Sequence, residues 1–223
     1  MGDPYNASMD SNTLLNESFG FVAKRKALLD AERDLAWQRE KVARLRRELP
    51  LDTTLDDYTF EDARTGVETK LTELVSNRSL IVYHLMYGKA QTQPCPMCTM
   101  WIDGFDAVYR HVAQRADFVV VAAADPAAIA SHADSRGWTN IPLFSARSNT
   151  FKRDLGSENE TGDQYPTISV IAARDGSLIH AYSAQPQLSD TMHERGLDLF
   201  SPVWHLLDLT AEGRSDWYPS LTY

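Results

Sequence analysis

Residues 80–106 read LIVYHLMYGKAQTQPCPMCTMWIDGFD, and this stretch decides the fold. Its first part, Leu80–Tyr87, is apolar and rich in strand formers. Beyond the loop, Met100, Trp101, Phe105, Val108 and Val112 recur at helical spacing. Both cysteines of the chain, Cys95 and Cys98, lie where the strand has ended and the helix begins. A Cys-x-x-Cys in that context reads as a redox dithiol.

A helix start leaves backbone N–H groups unpaired and carries the positive end of the helix dipole. A thiolate placed there is stabilised, so its pKa falls and it becomes a nucleophile near neutral pH. Pro96 suits the first helical position, where its missing N–H costs nothing. Cys95 is then the cap, partly exposed and reactive. Cys98, one turn further in, resolves a mixed disulfide by attacking it. A zinc site is the competing reading, because His111 follows Cys98 at zinc-finger spacing. The second histidine that four-coordinate zinc would need is absent: the next one is His132.

At 223 residues the chain can bury a full core in one domain with an appendage. A net charge of −9 argues against nucleic acid and anionic membrane as main partners. Two cysteines are too few for a disulfide-stapled secreted fold. No apolar run is long enough to span a membrane, and MGDPYNASMDSN lacks the basic end and apolar centre of a signal peptide. A cytoplasmic protein is expected.

Residues 1–15 read as disordered, 16–50 as a helical appendage and 51–223 as the main domain. In the appendage Leu28, Ala31, Leu35, Gln38, Val42, Leu45 and Leu49 alternate three and four apart, a heptad seam that Pro50 ends. This seam packs either on its own subunit or on a second copy in a homodimer. Residues 51–70 suggest a small hairpin, and 71–75 a helical turn. Phe118–Ala123 has the continuous apolar character of a strand buried on both faces. Pro126–Arg136 follows as a helix closed by Gly137. This alternation implies βαβ pairing. A short strand over 141–144 and a short helix over 150–155 come next. Tyr165–Ala173 reads as a strand, Arg174–Ser177 as a hairpin turn and Leu178–Ser183 as the return strand. The last helix is expected over 199–209, with Val203, Leu206 and Leu207 inward. The aromatic tail, GRSDWYPSLTY, is expected to dock. Asp103 and Asp106 are expected on the outer helix face.

The order of elements resembles the thioredoxin fold: a central mixed sheet flanked by helices, here with an extra long N-terminal helix. The segments YHLMYG, CPMC, GWTNIPLFS, RDGSLIHAYS and LLDLTAEGR resemble a thioredoxin-like family catalogued as a domain of unknown function. Its members are predicted dithiol–disulfide oxidoreductases. The likeness spans roughly residues 20–220, and the chain departs from the family pattern at Thr99 and at Ala123–Pro126. The resemblance implies that Pro166, within Tyr165-Pro166-Thr167, is cis and faces the dithiol. It also puts His84 where thioredoxins carry a buried acid, able to take the proton of Cys98. Thr92, three residues before Cys95, resembles the Thr-x-x-Cys of peroxiredoxins, although Gly88 stands where those carry proline. Peroxiredoxins also place an arginine over the sulfur; Arg147, Arg153 and Arg174 are candidates.

The sequence therefore leads to a thiol–disulfide oxidoreductase. Cys95 attacks, Cys98 resolves, His84 relays a proton, and Tyr165, Pro166, Thr167 and Thr92 contact the substrate. That substrate is a disulfide-containing protein or a small thiol or disulfide, and a cellular thiol is the reductant. No metal or organic cofactor is called for. A peroxiredoxin-like thiol peroxidase and a non-enzymatic thioredoxin-like binding module are the alternatives.

Overall fold

The computed structural model describes residues 19–76, 79–187, 190, 196–197, 200–213 and 216–222. The expectation of disorder over 1–15 lies outside them. Two compact units divide the chain, residues 1–49 and 50–223. The first contains α1, Phe19–Arg47. Its seam residues Leu28, Leu35, Val42, Leu45 and Leu49 are all exposed, Leu28 by 59%.

The second unit runs β1 (Thr54–Leu55), β2 (Thr59–Asp62), β3 (Glu68–Lys70), α2 (Leu71–Leu74), β4 (Leu80–His84), α3 (Pro96–Val112), β5 (Asp117–Ala122), α4 (Pro126–Arg136), β6 (Leu143–Ser145), α5 (Phe151–Asp154), β7 (Thr167–Arg174), β8 (Ser177–Ala184) and α6 (Pro202–Leu207). The sheet order is β1-β8-β7-β4-β5-β6-β2-β3. β4, β5 and β6 are parallel neighbours, while β7 pairs antiparallel with β4 and β8 with β7. The expected hairpin over 51–70 is β2–β3. It extends one side of the sheet through β6, and β1 extends the other through β8.

β4 and β5 are continuous apolar runs because both of their faces are covered. On one face Tyr83, Val120 and Ala122 join Cys98, Trp101, Ile102 and Phe105 of α3, Ile129 and Ala133 of α4, and Trp204 of α6. On the other, Val82, Val119 and Val121 pack with Leu71 of α2, Phe144 of β6 and Phe151 of α5. Each large side chain so buried contributes about 1.5–3 kcal/mol.

Three details differ from the sequence expectation. α6 buries Trp204, while Leu206 points outward with 60% exposure. Asp106 is buried; it accepts the N–H groups of Asn140 (2.8 Å) and Ile141 (2.9 Å). Asp103 accepts from Trp138 Nε1 at 2.7 Å and pairs with Arg136 at 2.5 Å. Both acids hold α3 to the segment that follows α4, a role no local pattern announces. Third, the peptide bond before Pro166 is trans. Trans is the default X–Pro form by about 0.5–1 kcal/mol. Tyr165 is fixed beforehand by its N–H bond to Ser157 O at 2.9 Å.

Candidate active site

β4 delivers the chain to one end of the sheet, and the loop after it stays stitched there. Leu85 N–H donates to Val121 O (2.9 Å), and Ala123 N–H to Tyr87 O (3.0 Å). Gly88 N–H is taken by the Gln91 side chain. A Cβ on Gly88 would meet Gln164 and Gln91 side-chain atoms at 3.3 Å, a tight fit that these side chains would have to relieve by a few tenths of an ångström. Cys95 N–H donates back to Met86 O at 3.0 Å, which docks the cap of α3 on the strand end.

Cys95 is the N-cap residue of α3 and Pro96 its first residue. Cys95 O accepts the Thr99 N–H (3.0 Å) and the Thr99 hydroxyl (3.1 Å). The same hydroxyl is 3.1 Å from His132 Nε2 of α4. Both thiols are free; Cys98 is fully buried and Cys95 half-buried. The Cys95 pKa is lowered to about 6. The main cause is hydrogen bonding from the Cys98 thiol. Burial works against it, and the Cys98 N–H, the Tyr218 hydroxyl and the Met97 N–H add to the lowering. The Cys98 thiol is pushed well up, by burial first and then by its proximity to Cys95. A thiolate at Cys95 with a thiol at Cys98 donating to it is the state favoured at neutral pH.

Tyr83, on the α3 face of β4, lies beneath this pair. Its hydroxyl is buried with no hydrogen-bond partner of normal geometry among the described residues, yet it is near enough to Cys98 for burial and the sulfur together to raise its pKa well above the usual phenol value. His84, one residue on, faces the opposite side of the sheet and stacks on Phe151 (5.4 Å, 15°). The expected relay from Cys98 to His84 is therefore not formed. The Ser157 hydroxyl donates to Lys152 O (2.9 Å), so its 2.8 Å contact with His84 Nδ1 requires Nδ1–H as donor. Nε2 then accepts from Ser169 at 3.0 Å. Both ring nitrogens are thus occupied by serines. Burial, with Lys152 nearby, pushes the imidazole pKa well down.

Thr92 lies on the wall of a cavity of about 440 Å³ with Gln93, Ser131, His132, Arg136 and Leu221, beside the Cys95 loop. Of the arginines considered, Arg147 pairs with Asp125 at 2.6 Å and Arg174 with Asp175 at 3.7 Å at the β7–β8 turn, while Arg153 is exposed on α5. None of the three is a hydrogen-bond partner of Cys95. Register pairs His84 with Thr167, which sets Pro166 level with Leu85 at the same end of the sheet. Tyr165 is exposed beside it, and Thr167 is buried with its hydroxyl on Tyr165 O at 3.3 Å.

The sequence reading missed two groups. Tyr218, on the C-terminal tail, places its hydroxyl 3.9 Å from Cys95 Sγ. Only the aromatic character of the tail hinted at docking. Lys152, on α5, is 2% exposed. Nothing in the short helix expected over 150–155 signals a buried amine.

The family model described as "Bacterial protein of unknown function (DUF899)" matches residues 11–222. The chain belongs to the DUF899 family. No curated protein matches this DUF899 chain. Among solved structures it is similar to the peroxidoxin BcpB of Mycobacterium tuberculosis, at 19% identity and TM-score 0.52, over 68% of this chain and 94% of that one. It is also similar to a PrxQ of Xylella fastidiosa (14%, TM-score 0.50, 68% and 93% covered). A third is the bacterioferritin comigratory protein of Xanthomonas campestris (14%, TM-score 0.50, 68% and 95% covered). These likenesses establish a thioredoxin-like fold for the DUF899 chain. Among the described residues no helix is long and apolar enough to cross a membrane.

Proposed function

We propose that this DUF899 protein is a thiol–disulfide oxidoreductase in which Cys95 attacks and Cys98 resolves. The observation that supports it is the contrast between the two thiols. Cys95 sits half-buried at the start of α3, its sulfur receiving N–H groups and the Cys98 thiol, and its pKa falls to about 6. Cys98 is sealed from solvent beneath it. The Cys95 thiolate attacks one sulfur of a substrate disulfide, forming a mixed disulfide and releasing the other sulfur as a thiolate that takes a proton from water. Cys98 then loses its proton and attacks Cys95 Sγ. The Cys95–Cys98 bond forms, and the substrate sulfur leaves as a thiolate and is protonated. A cellular thiol reduces the disulfide again. Tyr165, exposed beside Pro166 at the end of the sheet where β4 leads toward the dithiol, suits contact with an extended substrate segment. The reading places the protein in the cytosol, where paired free thiols persist.

A thiol peroxidase is the second reading, supported by Thr92 on the cavity wall three residues before Cys95. Titration against glutathione, with alkylation and mass measurement, tests the first. A reversible Cys95–Cys98 disulfide with a potential of roughly −270 to −120 mV is expected, together with reduction of an insulin-type disulfide. Consumption of peroxide through a sulfenic acid on Cys95, without the intramolecular disulfide, would instead establish the second.

A further inference from the structure

Lysine is almost never fully buried unless it is paired, and an isolated buried ammonium is costly. Lys152 is 2% exposed, and its Nζ makes one hydrogen bond among the described residues, to Leu85 O at 3.2 Å. The peptide group that carries this oxygen also carries the Met86 N–H, and that N–H points at the Cys98 sulfur. Lys152 and Cys98 therefore bracket one peptide plane, the amine on its oxygen and the thiol on its hydrogen. The next carbonyl, Met86 O, holds the Cys95 N–H. The amine is thus anchored to the turn that positions both cysteines.

We propose that Lys152 is a positioning residue for the resolving thiol: its amine, acting through the Leu85–Met86 peptide, takes up a proton as negative charge builds on the dithiol and releases it when the disulfide forms. The proposal rests on the oxidoreductase reading above. Three other titratable groups face Lys152. Cys98 of α3, once it is ionised, and Glu158, after α5, favour the ammonium. His84 of β4 is kept neutral by its burial, with the charge of Lys152 adding to the effect. Burial outweighs these and brings the amine to about 7, so it changes charge within the working range. Its main chain is fixed as well: Lys152 O accepts Ser157 N–H at 2.7 Å, Ser157 Oγ at 2.9 Å and Glu158 N–H at 3.1 Å.

In the resolving step the charge moves from Cys98 to the departing substrate sulfur, and the proton lost by Cys98 ends on that sulfur. An ammonium at Leu85 O polarises the peptide so that its N–H donates more strongly to the Cys98 thiolate. In the oxidised protein no thiolate remains, and the amine gives up its proton. Reduction by a dithiol in this pH window therefore takes up one proton more than the cysteines alone require.

The test is the midpoint potential of the Cys95–Cys98 couple against dithiothreitol from pH 5.5 to 9, in the wild-type protein and in Lys152→Met. The wild-type curve should show an inflection near pH 7, worth one proton, that Lys152→Met lacks. Resolution of a trapped mixed disulfide at pH 7 should slow about tenfold in the variant, the equivalent of one pKa unit on Cys98. Should the variant fail to fold, the ¹³Cε signal of Lys152 in wild-type protein serves instead, its pKa being higher in the reduced than in the oxidised state. Superimposable potential curves, or identical lysine titrations in the two states, would overturn the proposal while leaving the oxidoreductase intact. Absence of any reversible disulfide would overturn the oxidoreductase reading itself, and this proposal with it.

Discussion

The hydroxyl of Tyr218 lies 3.9 Å from the sulfur of Cys95, although 123 residues separate them. The tail that carries it is tied down by Arg136, whose guanidinium donates to Leu221 O at 3.2 Å. The last segment of the chain thus reaches the reactive thiol and supplies it with a hydrogen-bond donor.

Tyr218→Phe removes that donor from a side chain that is 53% exposed. The Cys95 pKa should rise by a fraction of a unit, up to about one unit or ~1.4 kcal/mol. The pH dependence of iodoacetamide alkylation, read with thiolate absorbance at 240 nm, measures it. An unchanged pKa would show that the contact carries no weight.

Cys98 contributes more than Tyr218 to the acidity of Cys95. Alkylation of the wild-type protein should be half-maximal near pH 6, with the thiolate present above that pH and lost below it. Cys98→Ala should move the midpoint up further than Tyr218→Phe does. The same variant should trap a mixed disulfide through Cys95, whereas Cys95→Ser should give no adduct. Adducts on Cys95→Ser alone would reverse the two roles.

Asp106 holds α3 to the loop before β6 through Asn140 and Ile141. Asp106→Ala leaves the Ile141 N–H without its acceptor, and should cost about 2–3 kcal/mol in urea unfolding at pH 7. Burial pushes this carboxyl up, but the N–H groups of Ile141 and Asn140 outweigh it, and the folded pKa is lowered. Its stabilisation is therefore complete above the unfolded value of ~3.9 and fades as pH falls through the folded value. The difference between wild type and variant should shrink at pH 3. A gap of equal size at both pH values would contradict this.

The exposed seam of α1 is expected to pair with a second copy. Leu35→Glu with Leu45→Glu should convert a dimer to a monomer in light scattering after size exclusion. Two charges placed on an already exposed face should leave the Pro50–Tyr223 unit folded. A wild-type protein that is monomeric at micromolar concentration would rule the pairing out.

Legible from the residues alone were the strands buried on both faces, the helix opened by Pro96 and the placing of Cys95 as its cap. Each of these depends on neighbours within a turn or a strand, so pattern alone carries it. The closure of α4 by Gly137, in the left-handed region at φ 72°, is of the same kind. What surrounds the sulfur was decided by tertiary structure. A strand alternates its faces, and the face that α3 covers put Tyr83 under Cys98 and turned His84 toward Phe151. Asp106 looked like a surface acid until the loop at Asn140 came to meet it. Lys152 became a buried amine because α5 packs over the end of β4, and Tyr218 became a donor because the tail returns to the start of α3, held by Arg136 of α4. These contacts join residues 15 to 123 apart in sequence. They depend on register and packing of the whole sheet, which no local run of residues encodes.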